Sequence, residues 1–133
     1  MITRIEIKGY KSIKEQDVSL TPLNILIGGN GVGKSNFISI FSLVRTVYEQ
    51  NLADYVIRKG GADSFLYFGK KNTQEIFFDF YFGNETKSKN RFILTLANRQ
   101  DSLYIKSIDT AFKTSYWHFQ NHEQSVAESD FKN

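Results

Sequence analysis

The feature that most limits how this chain can fold is an abrupt change of character between residues 23 and 36. Residues 23–27 are apolar except for Asn24, and they run directly into Gly28-Gly29-Asn30-Gly31-Val32-Gly33-Lys34-Ser35. Residues 34–50 then hold neither glycine nor proline. A short run that is apolar on both sides is the pattern of a strand buried on both faces. In the longer run, Phe37, Ile40, Phe41, Val44, Val47 and Tyr48 recur at spacings of three and four, which predicts an amphipathic helix with that broad stripe turned to a core. Strand, glycine bend and helix in this order force the helix N-terminus to face whatever the bend encloses.

The bend has the spacing glycine, four residues, glycine, lysine, serine, which is that of a phosphate-binding loop. Gly28, Gly29, Gly31 and Gly33 allow positive backbone dihedrals and a close approach to a ligand, so successive N–H groups can converge on an anion. Lys34 opens the helix and is expected to reach the β and γ phosphates of a nucleotide, making it the catalytic candidate. The unpaired N–H groups and the positive end of the helix dipole add to its field. The Ser35 hydroxyl is placed to hold Mg²⁺ between the same phosphates.

Elsewhere the patterning is that of strands. Residues 2–8 alternate, with Ile5 and Ile7 on one side and Arg4, Glu6 and Lys8 on the other. A second short extended piece is expected at residues 17–20, before the single proline, Pro22. Gly60-Gly61 breaks the chain. Residues 75–82, 91–97 and 102–112 are rich in Phe, Ile and Tyr and are separated by turn residues, which predicts an antiparallel meander. The tail, residues 123–133, is polar and weakly patterned, and is expected to fray.

The length, 133 residues, suits one folded unit. No apolar run approaches the roughly 20 residues of a membrane span, and the start lacks the apolar block of a secretory signal, so a cytoplasmic location is expected. The absence of cysteine excludes disulfides and thiolate metal sites. A net charge of +3, spread without a basic run, permits a nucleic-acid partner but does not argue for one. His118 and His122 would share a helix face for a metal, but no carboxylate or cysteine cluster completes a shell, and none is expected. Tyr116, Trp117 and Phe119 are expected to pack in a core, in preference to stacking on bases.

The string from Gly28 to Asn36, with asparagine directly after Lys34-Ser35, resembles the phosphate loop of the SMC, RecF and related ABC-type ATPases. Ile5 to Ile13, an alternating strand leading into Tyr10, Lys11 and Ser12, is similar to the amino-terminal signature of that group. Gly60-Gly61-Ala62-Asp63 with Leu66-Tyr67-Phe68-Gly69 is similar to a bacterial branch of AAA-type ATPases near the OLD nucleases. The resemblance implies an α/β fold, the amino-terminal half-domain of a P-loop ATPase head, in which strand, loop and helix are joined to an antiparallel β meander. It implies ATP and Mg²⁺ as ligands, with Lys11 and Ser12 near the nucleotide, Asn30 beside its phosphates, and Gly28, Gly31, Val32, Gly33, Lys34, Ser35 and Asn36 around them. It also implies a carboxyl-terminal half, a head-to-head dimer and a DNA-linked role in repair or phage defence.

Hydrolysis needs parts that are hard to find here. Asp79, closing Ile76-Phe77-Phe78, is the nearest imitation of a magnesium-holding carboxylate, but the pattern reads better as a hairpin strand; Asp109 is weaker. Gln120 or Gln124 are the candidates for a glutamine loop. The chain alone is therefore expected to be inactive or very weak. Two rivals are a small-molecule kinase and an interaction module with a vestigial loop. The kinase lacks an arginine-rich lid, and a GTPase lacks its guanine-reading Asn-Lys-x-Asp.

Overall fold

The computed structural model describes residues 1–21, 24, 33–84 and 87–122. Strand β1 (Ile2–Tyr10) buries Ile5 and Ile7 completely on one face and puts Arg4, Glu6 and Lys8 on the other. It runs two residues beyond the predicted end because Gly9, at φ +74, passes under the carbonyl of Glu75, where a Cβ would come within 2.5 Å of the oxygen. β2 (Ile13–Ser19) returns antiparallel to β1 from Ile13 opposite Tyr10. It starts earlier than the predicted 17–20, because its solvent-facing Lys14, Glu15 and Gln16 hide the alternation.

The sheet is completed by β3 (Glu75–Asn84), β4 (Lys87–Arg99), β5 (Ser102–Lys113) and β6 (Trp117–Asn121), in the order β2-β1-β3-β4-β5-β6 with every neighbour antiparallel. The β4–β5 hairpin turns on Gln100 and Asp101, both left-handed at φ 51 and 58, the twist that tight hairpins favour. Cross-strand rows such as Ile5–Phe80–Phe92 and Ile7–Phe78–Leu94 form the inner face.

Over that face lie α1 (Lys34–Tyr48) and α2 (Leu52–Arg58), whose Ile40, Leu43, Val47, Leu52 and Val56 join the strands in one hydrophobic cluster. The phase of α1 differs from the predicted stripe. Leu43 and Thr46 are buried, whereas Phe41 is 41% and Tyr48 88% exposed. Apolar residues occupy more than one side of this helix, so hydrophobicity alone does not say which side is inward. Thr46 is accommodated because its hydroxyl donates to the Leu43 carbonyl at 2.6 Å. α2 was not predicted; it is one short amphipathic piece with Leu52 and Val56 a turn apart. A 3₁₀ turn (Ala62–Ser64) follows and is pinned to the hairpin, with Ala62 N donating to the Asp101 carbonyl at 2.8 Å and Asp63 N to Asp101 Oδ1 at 3.2 Å.

The outer face carries charge. Arg4 pairs with Asp17 across β1 and β2, and Arg91 pairs with Asp79 across β3 and β4. The Arg91 guanidinium also lies 4.6 Å from the Tyr81 ring centre, 5.1 Å from Trp117 and 5.3 Å from Phe119. Apart from Asn24, the predicted strand at 23–27 lies outside the described residues, as do Gly28, Gly29, Asn30, Gly31, Val32, Gln124 and the tail. Among the described residues no helix is long and apolar enough to cross a membrane.

Candidate functional site

The described part of the glycine motif begins at Gly33, which holds the left-handed conformation φ 93, ψ 3 at the N-cap of α1. A residue with a side chain is strained there, which is the reason glycine precedes the lysine. The Gly33 carbonyl accepts the first helical bond from Phe37 N at 2.8 Å. Among the described residues no side chain caps this end and no acidic residue occupies the first turn. The N–H groups of a first helical turn have no partner within the helix, and with the dipole they favour an anion. Lys34 is half-buried and Ser35 exposed at this start. This donor set fits a phosphate, and the Ser35 hydroxyl is positioned in sequence to serve a phosphate-bound Mg²⁺.

The β1–β2 turn is bolted onto the same helix. Lys11 is left-handed at φ 50, and its N–H donates to the Phe65 carbonyl at 2.8 Å. Ser12 Oγ accepts from Asn36 Nδ2 at 2.6 Å and would stand 3.5 Å from a Cβ at Gly33. Lys11 Nζ reaches Ser39 Oγ at 3.3 Å, passing 5.5 Å from the Tyr10 ring centre and 5.1 Å from that of Phe65. Tyr10 OH lies 2.6 Å from the same Ser39 oxygen, and Ser39 Oγ donates to the Asn36 carbonyl at 2.7 Å.

Electrostatics follow from this packing. Burial lowers the pKa of Lys11, and the neighbouring charge of Lys59 lowers it further. Burial pushes the Tyr10 phenol up to about 12. Of the predicted site residues, then, Lys11, Ser12, Gly33 and Asn36 are gathered at one end of α1, where Lys34 and Ser35 also begin the helix. Tyr10, Ser39 and Phe65 were missed. The aromatic beside Lys11 was visible in sequence, but nothing local pointed to a hydroxyl from the helix's second turn.

Other candidates fall away from this end. Asp79 is 1% exposed and held by Arg91 on an antiparallel strand, so its carboxylate is committed to the sheet, as the hairpin reading expects. Asp109 accepts from Asn121 Nδ2 at 2.7 Å. Gln120 pairs across from Thr110 on β6. His118 and His122 also lie on or just past that strand, not on a helix, and their Nε2 atoms bond separate threonines, Thr114 at 2.9 Å and Thr110 at 2.8 Å. Among the described residues no group of three or more His, Cys, Asp or Glu could hold a metal. Tyr116 and Phe119 are exposed rather than packed in the core, at 68% and 60%, because β6 is the edge of the sheet.

The AAA ATPase domain family matches the chain over residues 1–133. The chain belongs to that family. Membership in this family indicates a nucleotide-binding ATPase unit with ATP as its ligand. None of the curated proteins matches the chain in sequence.

Proposed function

We propose that this AAA ATPase domain binds ATP with Mg²⁺ at the start of α1, as the amino-terminal part of a P-loop ATPase head of the SMC and RecF class related to the OLD proteins. The observation that carries the reading is a helix N-terminus that no side chain among the described residues caps, opened by left-handed Gly33 and Lys34-Ser35, with Lys11 and Ser12 docked beside it. Lys34 supplies charge to the β and γ phosphates, and the first-turn N–H groups supply directed donors. Ser35 would hold Mg²⁺, which when bound neutralises charge between those phosphates.

Full turnover requires groups from outside this constellation, because Asp79 is occupied by Arg91. A carboxyl-terminal half and a second head would supply them. ATP then favours head closure, since it adds contacts only in the closed state, and the cycle serves a DNA-linked process such as repair or phage defence. Titration calorimetry tests the core of this reading. Lys34→Ala is expected to weaken ATP binding on the order of 100-fold, and Ser35→Ala to remove its Mg²⁺ dependence. Equal affinity in the parent and Lys34→Ala overturns the assignment. Adding the carboxyl-terminal half is expected to raise ATP turnover well above that of this chain.

A further inference from the structure

The hydroxyl of Ser39 has an unusual set of partners. It donates its one hydrogen to the Asn36 carbonyl at 2.7 Å, so both remaining contacts must be accepted by its lone pairs. Lys11 Nζ, a donor only, gives one of them at 3.3 Å. The other, at 2.6 Å, must therefore be donated by the phenol of Tyr10, which is fully buried. One oxygen is thus saturated, with one bond given and two received, and it links the strand before the turn, the turn lysine and the helix backbone.

This junction differs from a surface ion pair in what it does to the lysine. A carboxylate would neutralise the ammonium, whereas a hydroxyl fixes its direction and leaves its charge. The rings of Tyr10 and Phe65 flank the stem, and among the described residues no acidic side chain pairs with it. Ser39 lies one turn beyond Ser35, and the β1–β2 turn is docked on the start of the same helix through Ser12 and Asn36, so the Lys11 ammonium sits about one helical turn from that start.

We infer that Ser39, together with Tyr10, is a positioning residue that holds the Lys11 Nζ beside the phosphate-binding start of α1. The inference rests on the ATP reading and adds to it the device that keeps a second cation near the nucleotide. Ser39 itself never touches the phosphates; it acts through Lys11.

The test is ATP affinity by calorimetry for the parent chain, Ser39→Ala, Ser39→Thr, Lys11→Met and the Ser39→Ala/Lys11→Met double variant. A thermal melt of each confirms folding. Ser39→Ala is expected to bind about fivefold more weakly, and Ser39→Thr, which keeps the hydroxyl, to recover to within about twofold. In the double variant the serine change is expected to add nothing to Lys11→Met, the signature of one residue acting through another. Parent-like affinity in Ser39→Ala overturns the inference, as does an undiminished serine effect in the double variant. Should the parent not bind ATP, the nucleotide reading fails on its own, and amide hydrogen exchange at residues 10–12 decides the positioning role. Protection lost in Ser39→Ala and kept in Ser39→Thr upholds it; unchanged protection overturns it.

Discussion

Among the described residues, Arg91 and Lys11 each lie against more than one aromatic ring, and they are treated in opposite ways. Arg91, on the outer face of the sheet, is flanked by Tyr81, Trp117 and Phe119 and is closed off by the carboxylate of Asp79. Lys11, at the start of α1, is flanked by Tyr10 and Phe65 but meets a hydroxyl. The first arrangement cancels its charge and fastens two strands. The second keeps its charge and fixes only its direction. Aromatic packing around a cation therefore says little about function; under the proposed ATP reading, the formal charge of its polar partner separates a structural cation from one held for an anion.

The contrast can be broken at its structural end first. Asp79→Ala leaves the Arg91 guanidinium, 16% exposed, without its counter-charge, and is expected to cost about 3 kcal/mol in denaturant unfolding. Its ATP affinity should stay at the parent value in whatever fraction remains folded. A variant of normal stability would mean that the pair is merely incidental.

Tyr10 gives the next effect, and it depends on pH. The folded phenol titrates at about 12, against an ordinary tyrosine at about 10. Between those values the unfolded chain sheds the proton while the folded chain keeps it, so deprotonation favours unfolding and stability falls as pH rises. The fall should be about 2 kcal/mol by pH 12, and fully present stability is expected below pH 10. Tyr10→Phe should abolish that portion of the slope in unfolding curves recorded from pH 9 to 12.

The smallest effect on stability comes from Lys11 itself. Lys11→Met keeps the stem packed between rings and removes only the charge, so the unfolding free energy should change by less than about 1 kcal/mol. ATP affinity should nevertheless drop about tenfold. If instead stability falls and affinity holds, Lys11 belongs with Arg91, and the distinction drawn here disappears.

What could be read in the sequence follows from how local each signal is. The strands at 75–82, 91–97 and 102–112 show themselves because alternate residues face one packed layer, and residues 98–101 between the last two include the left-handed pair Gln100 and Asp101. The helix from Lys34 is equally visible, yet its inward side is not, since Ile38 and Phe41 are as apolar as Leu43 and only the placement of the sheet distinguishes them. β6 was hidden because Trp117 to Asn121 mixes aromatic and amide groups at an edge where alternation is not enforced. At the candidate site, glycine spacing points to Gly33, Lys34 and Ser35. The contribution of Ser39 and Phe65 arises only when elements 28 and 54 positions from Lys11 are brought to it, a property of tertiary structure that no window of sequence contains.

The seating of the Lys11 turn has a kinetic consequence. Its backbone is held by Phe65, whose own segment is anchored by Asp101 at the tip of the β4–β5 hairpin. Hairpin closure brings together neighbours in the chain, whereas the other two links close far longer loops and carry a greater entropic cost. Assembly is thus expected to proceed from the meander inward, with the seat of the Lys11 turn on Phe65 among the last contacts to form.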